Sequence, residues 1–267
     1  DAARYLSPKP GNIAQRQAIR EAGVALVEKL HESGRYDRIV LLGHSLGSVI
    51  AYDIITHAWI RMHARHRRPS RPSFRELVAV ERALHQPLAS KARQALQHAA
   101  WRRQRANTQP WLITDLVTVG SPLTYADFLV ADSRTAFEKA KSDRVLPCCP
   151  PVTELDPKSG HRRISFERPY PGAIAGDTRT FVIGHHAAPF ALTRWTNLYF
   201  RTRCRGLCGD LIGGPVAPLF GEWVRDVPLA SPSKGFTHTW YWRRGEHGNR
   251  HLKALRGALG LDCRKEL

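Results

Sequence analysis

The chain has no run approaching the ~20 consecutive apolar residues that a membrane-spanning helix requires, and its first ten residues, Asp1 to Pro10, lack the apolar stretch of a secretory leader. It is short of cysteine: Cys148, Cys149, Cys204, Cys208 and Cys263 form no C-x-x-C pair and no repeated metal-ligand spacing. That pattern predicts neither structural zinc nor another metal or cofactor, and it points to a reducing, cytoplasmic setting, with peripheral contact to a membrane surface as the remaining option. Acidic residues are also scarce, 23 against 41 Lys and Arg, which leaves a formal charge of +18. A 42% hydrophobic share nevertheless excludes the disordered class. The 267 residues are enough for one large domain. The chain opens on Asp rather than Met, so a processed or partial chain is expected.

The basic excess is local. Residues 61–110 carry 12 Lys and Arg against 2 Asp and Glu, whereas residues 1–60 are near neutral with 7 against 6. This segment contains Arg61, Arg65, Arg67 and Arg68, the breakers Pro69 and Pro72, and two helical stretches. The first opens on a capping box formed by Ser73 and Glu76 and continues through Leu77, Val80 and Leu84. The second runs from about Leu88 to Trp101 and ends in Arg102, Arg103 and Arg105. The segment reads as a basic helical insertion carried by a neutral core. Arginine outnumbers lysine 32 to 9, and guanidinium forks suit phosphate. An anionic membrane surface is therefore a candidate partner. Nucleic acid is not expected, because no zinc-finger spacing or RNP-like aromatic motif is present.

Upstream of the insertion, each boundary is chemically marked. Asn12 can cap a helix whose Ile13, Ala18, Ala22, Leu26 and Leu30 face a core, and Gly34 suits its end. A short apolar strand from Ile39 to Leu42 follows, in the manner of a buried parallel strand. Directly after it stands Gly43-His44-Ser45-Leu46-Gly47, a G-x-S-x-G pentapeptide, and then Val49, Ile50, Asp53, Ile54 and Ala58 at helical spacing. A serine held on a strand-to-helix turn must adopt a strained backbone, and glycines two residues to either side are expected to relieve the collision. The amide of Leu46, at the start of the following helix, is the candidate donor to a developing oxyanion.

The segment Arg38 to Ser48 resembles the nucleophile region of the α/β-hydrolase superfamily, in its lipase- and esterase-like branch. Asp115 to Leu123, with Gly120-Ser121-Pro122, is similar to the next core strand of such proteins. The resemblance implies an α/β fold: a mostly parallel sheet flanked by helices, in a single domain over residues 1–267, with residues 61–110 inserted after the elbow helix. It also implies a carboxylic ester as substrate, either a small molecule or a lipid. Members carry several strands ahead of the elbow and draw a second oxyanion donor from one of their loops. Here only one helix precedes Ser45, so an N-terminally incomplete domain with weak activity or low stability is expected.

The same resemblance implies the chain order serine, acid, histidine. Trp195 to Phe200 resembles the late strand that precedes the acid, and the next acidic residue is Asp210, in a glycine-rich loop. Asp127, after the Gly120-Ser121-Pro122 turn, is the rival. With Asp210 as the acid, His238 is the base, ahead of a short aromatic strand at Trp240 to Trp242. With Asp127, His185 or His186 would serve. His247 and His251 read as solvated or anion-contacting, while His31, His57, His63, His66, His85 and His98 read as solvated on helices. The expectation is a serine hydrolase with Ser45, Asp210 and His238 as its catalytic residues and Leu46 in the oxyanion hole. Acyl transfer or thioester cleavage on the same machinery is a variant. A non-catalytic hydrolase-like module that binds an anionic membrane or nucleic acid through residues 61–110 is the alternative from another class.

Overall fold

The computed structural model describes residues 5, 10–62, 65, 76–107, 111–157, 160–169, 180–202, 208–231, 235–244 and 249–262. Eight strands lie among them: β1 (Ile39–His44), β2 (Ile113–Val119), β3 (Glu154–Leu155), β4 (Arg162–Arg163), β5 (Ser165–Pro169), β6 (Thr180–Gly184), β7 (Arg194–Phe200) and β8 (Arg225–Leu229). The helices are α1 (Pro10–Glu32), α2 (Leu46–Met62), α3 (Glu76–Ala83), α4 (Ser90–Asn107), α5 (Ala126–Leu129), α6 (Arg134–Ser142), α7 (Ala217–Phe220) and α8 (Arg250–Ala258).

Four strands form the central sheet in the order β1-β2-β7-β8, and every pairing is parallel. Parallel neighbours need a crossover, and the intervening helices supply it, which makes this an α/β fold with helices on both faces. Strand β2 is buried along its whole length, so its polar residues need partners inside. Arg194 on β7 donates through Nη2 to Asp115 Oδ2 at 2.8 Å, and its Nε lies 2.7 Å from Oδ1 in the same ion pair. Thr118 donates to Asn197 at 2.9 Å, and Asn197 donates to Asp226 on β8 at 2.7 Å. Asp226 in turn accepts from the Val216 and Ala217 amides at the start of α7. A polar ladder thus crosses three strands and ends on a helix cap.

One face of the sheet carries the larger core, with Trp59, Trp111, Trp195, Trp223, Phe190 and Phe220 all fully buried. The other face packs Val117, Val119, Leu198 and Phe200 against Tyr241 and Leu255 of α8. Among the described residues no helix is long and apolar enough to cross a membrane.

One expectation about the helices needs correction. Helix α1 spans the predicted region but turns a different face inward: Val24 and Val27 are buried, while Ile13 and Leu26 are 50% and 57% exposed. Gly23 sets this face, because a Cβ there would lie 2.3 Å from Ile54 Cδ1, so α1 presses on α2 along the line of Gly23 rather than along its most apolar stripe.

Where it is described, the basic segment packs into the body of the fold. Leu77, Val80, Ala100 and Trp101 belong to the main core. Gln97 on α4 donates to the Phe190 carbonyl at 2.6 Å, and Arg93 donates to the Glu222 carboxylate and carbonyl at 2.8 and 2.6 Å. Arg61 pairs with Glu21 and Glu28 of α1, and Arg65 with Glu28 and Glu32. Arg67, Arg68, Arg71 and the Ser73 cap lie outside the described residues.

Candidate active site

The turn between β1 and α2 holds Ser45 at φ +54°, a left-handed conformation that non-glycine residues adopt only under local constraint. The constraint is visible. The Ser45 amide donates to the Val119 carbonyl of β2 at 3.0 Å, and the Ser48 hydroxyl donates back to the Gly43 carbonyl at 3.0 Å. A Cβ on Gly43 would sit 2.5 Å from the Gly47 carbonyl oxygen and 2.6 Å from Ser48 Cα, so glycine is required there. Gly47 is different: a Cβ there would meet nothing within 4 Å, which corrects the expectation that both glycines relieve a collision. Leu46 is the first residue of α2, so its N–H has no acceptor one turn back and is available to a ligand.

Asp210 and His238 lie on the loops that follow β7 and β8. The two loops are clasped by their backbones: the Gly209 amide donates to the Gly235 carbonyl at 3.0 Å, and the Thr237 amide donates to the Gly209 carbonyl at 2.9 Å. One residue beyond the clasp on each side, His238 Nδ1 stands 2.9 Å from Asp210 Oδ1. Asp210 is fully buried and compensated by four donors. Oδ1 also accepts from the Ile212 and Gly213 amides, each at 2.9 Å, and Oδ2 accepts from the Tyr241 hydroxyl at 2.6 Å. Burial pushes its pKa up, but hydrogen bonds from His238, Tyr241 and the Gly213 amide outweigh that, so the carboxyl is held below its ordinary value. The Tyr241 phenol is pushed far up, first by burial and then by the Asp210 charge. It remains a donor at any ordinary pH.

His44 connects this pair to the serine turn. Its Nε2 donates to the His238 carbonyl at 2.9 Å, and the two rings lie 4.9 Å apart. That bond requires the Nε2-protonated tautomer of His44. With Asp210 accepting from Nδ1, the His238 Nε2 is left as the basic atom of the ring. Among the described residues it makes no hydrogen bond to Ser45. Catalytic hydrogen bonds are commonly long before substrate arrives.

Glycines make room for the pair. Gly120, at φ +55°, would place a Cβ 2.8 Å from Asp210 Oδ2, and Gly213 would place one 2.7 Å from the same oxygen. Gly120 belongs to the G-S-P turn that stood out in the sequence. Tyr241 carried no such signal and lies in a 3₁₀ turn, Trp240–Trp242, where a short strand was expected. The turn directs Tyr241 inward and leaves Trp242 45% exposed.

The rival residues are placed elsewhere. Asp127 lies on α5 in a surface ion pair with Arg134 at 3.1 Å. His185 is buried and serves the backbone: Nε2 donates to the Val152 carbonyl at 2.7 Å, while Nδ1 accepts from the Ala187 amide at 3.1 Å. His186 is exposed. His251 binds the Arg243 carbonyl, and His247 lies outside the described residues, as do His63 and His66. Three helical histidines expected in solvent are not free there: His57 binds the Asp53 carbonyl at 2.8 Å. His31 donates to the Val27 carbonyl at 2.7 Å and accepts from the Leu112 amide at 2.9 Å, and His98 stacks on Trp101. Among the described residues, no group of His, Cys, Asp or Glu is arranged to hold a metal ion. Comparisons with protein-family models, with curated proteins and with solved structures found no match for the chain.

Proposed function

We propose that the chain is a serine hydrolase of the α/β-hydrolase type that cleaves carboxylic esters through an acyl-enzyme. The observation that carries this reading is the buried, fully hydrogen-bonded Asp210 against His238 Nδ1, on loops at the same end of the sheet as a strained serine turn. In this reading, Ser45 Oγ attacks the ester carbonyl while His238 Nε2 takes the hydroxyl proton. The Leu46 amide donates to the carbonyl oxygen as it becomes an oxyanion. His238 then returns the proton to the leaving alcohol, and water repeats the sequence to free the acid. Asp210 holds the His238 tautomer and stabilises the imidazolium that forms.

The alternative, a non-catalytic binder of anionic membrane or nucleic acid through residues 61–110, draws less support, because Arg61, Arg65 and Arg93 are each paired with a carboxylate of the same chain. A fluorophosphonate probe separates the two. Covalent labelling of the folded chain that disappears in Ser45→Ala is the expected outcome, and a folded chain that resists labelling refutes the catalytic reading.

A further inference from the structure

Helices α1 and α2 run side by side in the same direction: Arg16 in the first half of α1 meets Asp53 midway along α2, and Glu28 near the end of α1 meets Arg61 at the end of α2 and Arg65 just beyond it. Their N-terminal ends therefore share the rim of the sheet at which Ser45 stands. Between those ends lies a cavity of about 180 Å³, lined by Asn12, Gln15, Arg16 and Ile19 of α1, by Leu46 and Ile50 of α2, and by Tyr5. Leu46 immediately follows Ser45, and Ile50 lies one turn further along the same helix. The cavity thus begins at the residue whose amide faces the reacting carbonyl.

Its charge is already spent internally. Arg16 donates through Nε and Nη2 to Asp53 Oδ2, at 3.0 and 2.8 Å, and the Tyr5 hydroxyl donates to the same oxygen at 3.0 Å. The Arg16 guanidinium also stacks over the Tyr5 ring, 5.1 Å from its centre. Asp53 is 8% exposed, so this cluster forms a rigid wall with no net charge to offer. What remains for a ligand is Ile19, Leu46, Ile50 and neutral amide groups. In size, a dry protein cavity of about 150 Å³ accommodates benzene, about six heavy atoms.

We propose that this cavity is a substrate subsite that takes an uncharged aliphatic arm of about six heavy atoms, belonging to the acyl or the alcohol side of the ester. The role in turnover rests on the hydrolase reading above, and binding does not. Binding is therefore tested first, by ligand-observed NMR with hexanamide as the probe. Hexanamide is expected to bind the wild-type chain and Ser45→Ala, to lose at least tenfold in affinity in Ile50→Trp and Ile19→Trp, which fill the cavity from opposite walls, and to bind normally to Leu26→Trp on the exposed face of α1. The turnover arm measures kcat/KM for 4-nitrophenyl acetate against the hexanoate, and for ethyl acetate against hexyl acetate. The longer-to-shorter ratio is expected to fall at least tenfold in Ile50→Trp in one of the two series, the range in which pocket contacts discriminate methylenes, and that series identifies the arm. Hexanamide binding that is absent, or that survives in folded Ile50→Trp and Ile19→Trp, overturns the proposal. Binding lost as expected in a chain whose Ser45 does not label with fluorophosphonate keeps the subsite and removes the ester reading alone.

Discussion

A Cβ on Gly120 would stand 2.8 Å from Oδ2 of Asp210, so the turn after the second core strand is shaped by a carboxylate that arrives 90 residues later in the chain. The same oxygen accepts the Tyr241 hydroxyl. A methyl group at Gly120 has nowhere to go, because Tyr241 Cε2 and His238 Cε1 also lie within 3.2 Å of it.

Gly120→Ala is accordingly expected to be severe. The residue sits at φ +55°, which costs an alanine about 1–2 kcal/mol before any clash, and relief of the clash must displace Asp210 or His238. Gly47→Ala is expected to be neutral or stabilising by up to about 1 kcal/mol, because it lies inside α2 with open space around its Cα. Chemical denaturation of the two variants measures the contrast. Equal destabilisation would mean that the elbow needs both of its motif glycines.

Tyr241→Phe leaves the ring in place and removes two hydrogen bonds, one to Asp210 and one from the Phe200 amide at 3.0 Å. The buried Phe200 N–H loses its acceptor, so a loss of about 1–3 kcal/mol is expected. Asp210 loses its shortest donor and becomes a poorer anchor for His238. The acidic limb of the pH profile of kcat/KM, which reports the essential base in the free enzyme, should move in Tyr241→Phe. A stability loss with an unmoved profile would assign the phenol a packing role alone.

The two candidate acids separate cleanly. Asp210→Asn is expected to reduce kcat/KM by about 10³ to 10⁴, because an amide in that position no longer fixes the His238 tautomer. Asp127→Asn removes only an exposed pair with Arg134 and should change turnover by less than twofold. Steady-state assays on both variants measure this, and comparable losses would reopen the assignment of the acid.

Stability should fall as pH drops below about 6.5, the ordinary histidine value. Burial, the largest cause in each case, lowers the pKa of His31 and His185. The unfolded chain therefore binds protons that the folded chain refuses. The stabilisation is fully present above the unfolded pKa and is lost as pH falls through it and toward the folded values. Thermal melts from pH 8 to pH 5 should show a decline that is shallower in His31→Gln, and an unchanged slope would locate the sensitivity elsewhere.

Local chemistry made the first half of the site legible. The apolar run ending at Leu42, the glycine at 43 and the amphipathic stretch after Ser45 each obey short-range rules, and the elbow formed where those rules placed it. The loops carrying Asp210 and His238 were found from chain order, which says nothing of the backbone clasp between Gly209 and Thr237. Tyr241 was hidden because its role depends on the turn at Trp240–Trp242, where an aromatic run reads equally well as a strand. The face of α1 was misread for a related reason: periodicity finds the most apolar stripe, whereas Gly23 decides where another helix can approach. In the basic segment, arginine counts carry no information about Glu21, Glu28, Glu32 and Glu222, which pair with Arg61, Arg65 and Arg93 from distant parts of the chain.

All four strands of the sheet are parallel, and the serine turn rests at one edge strand while its histidine follows the strand at the opposite edge. During folding this imposes a sequence of events. The β1 turn and α2 can form from near neighbours, but the clasp between the last two loops must wait for long chain closures, the slow steps in parallel topologies. In the proposed hydrolase reading, a nascent chain released before residue 238 would therefore carry Ser45 on a formed elbow with no base beside it, and reactivity would be switched on only when the final loop docks.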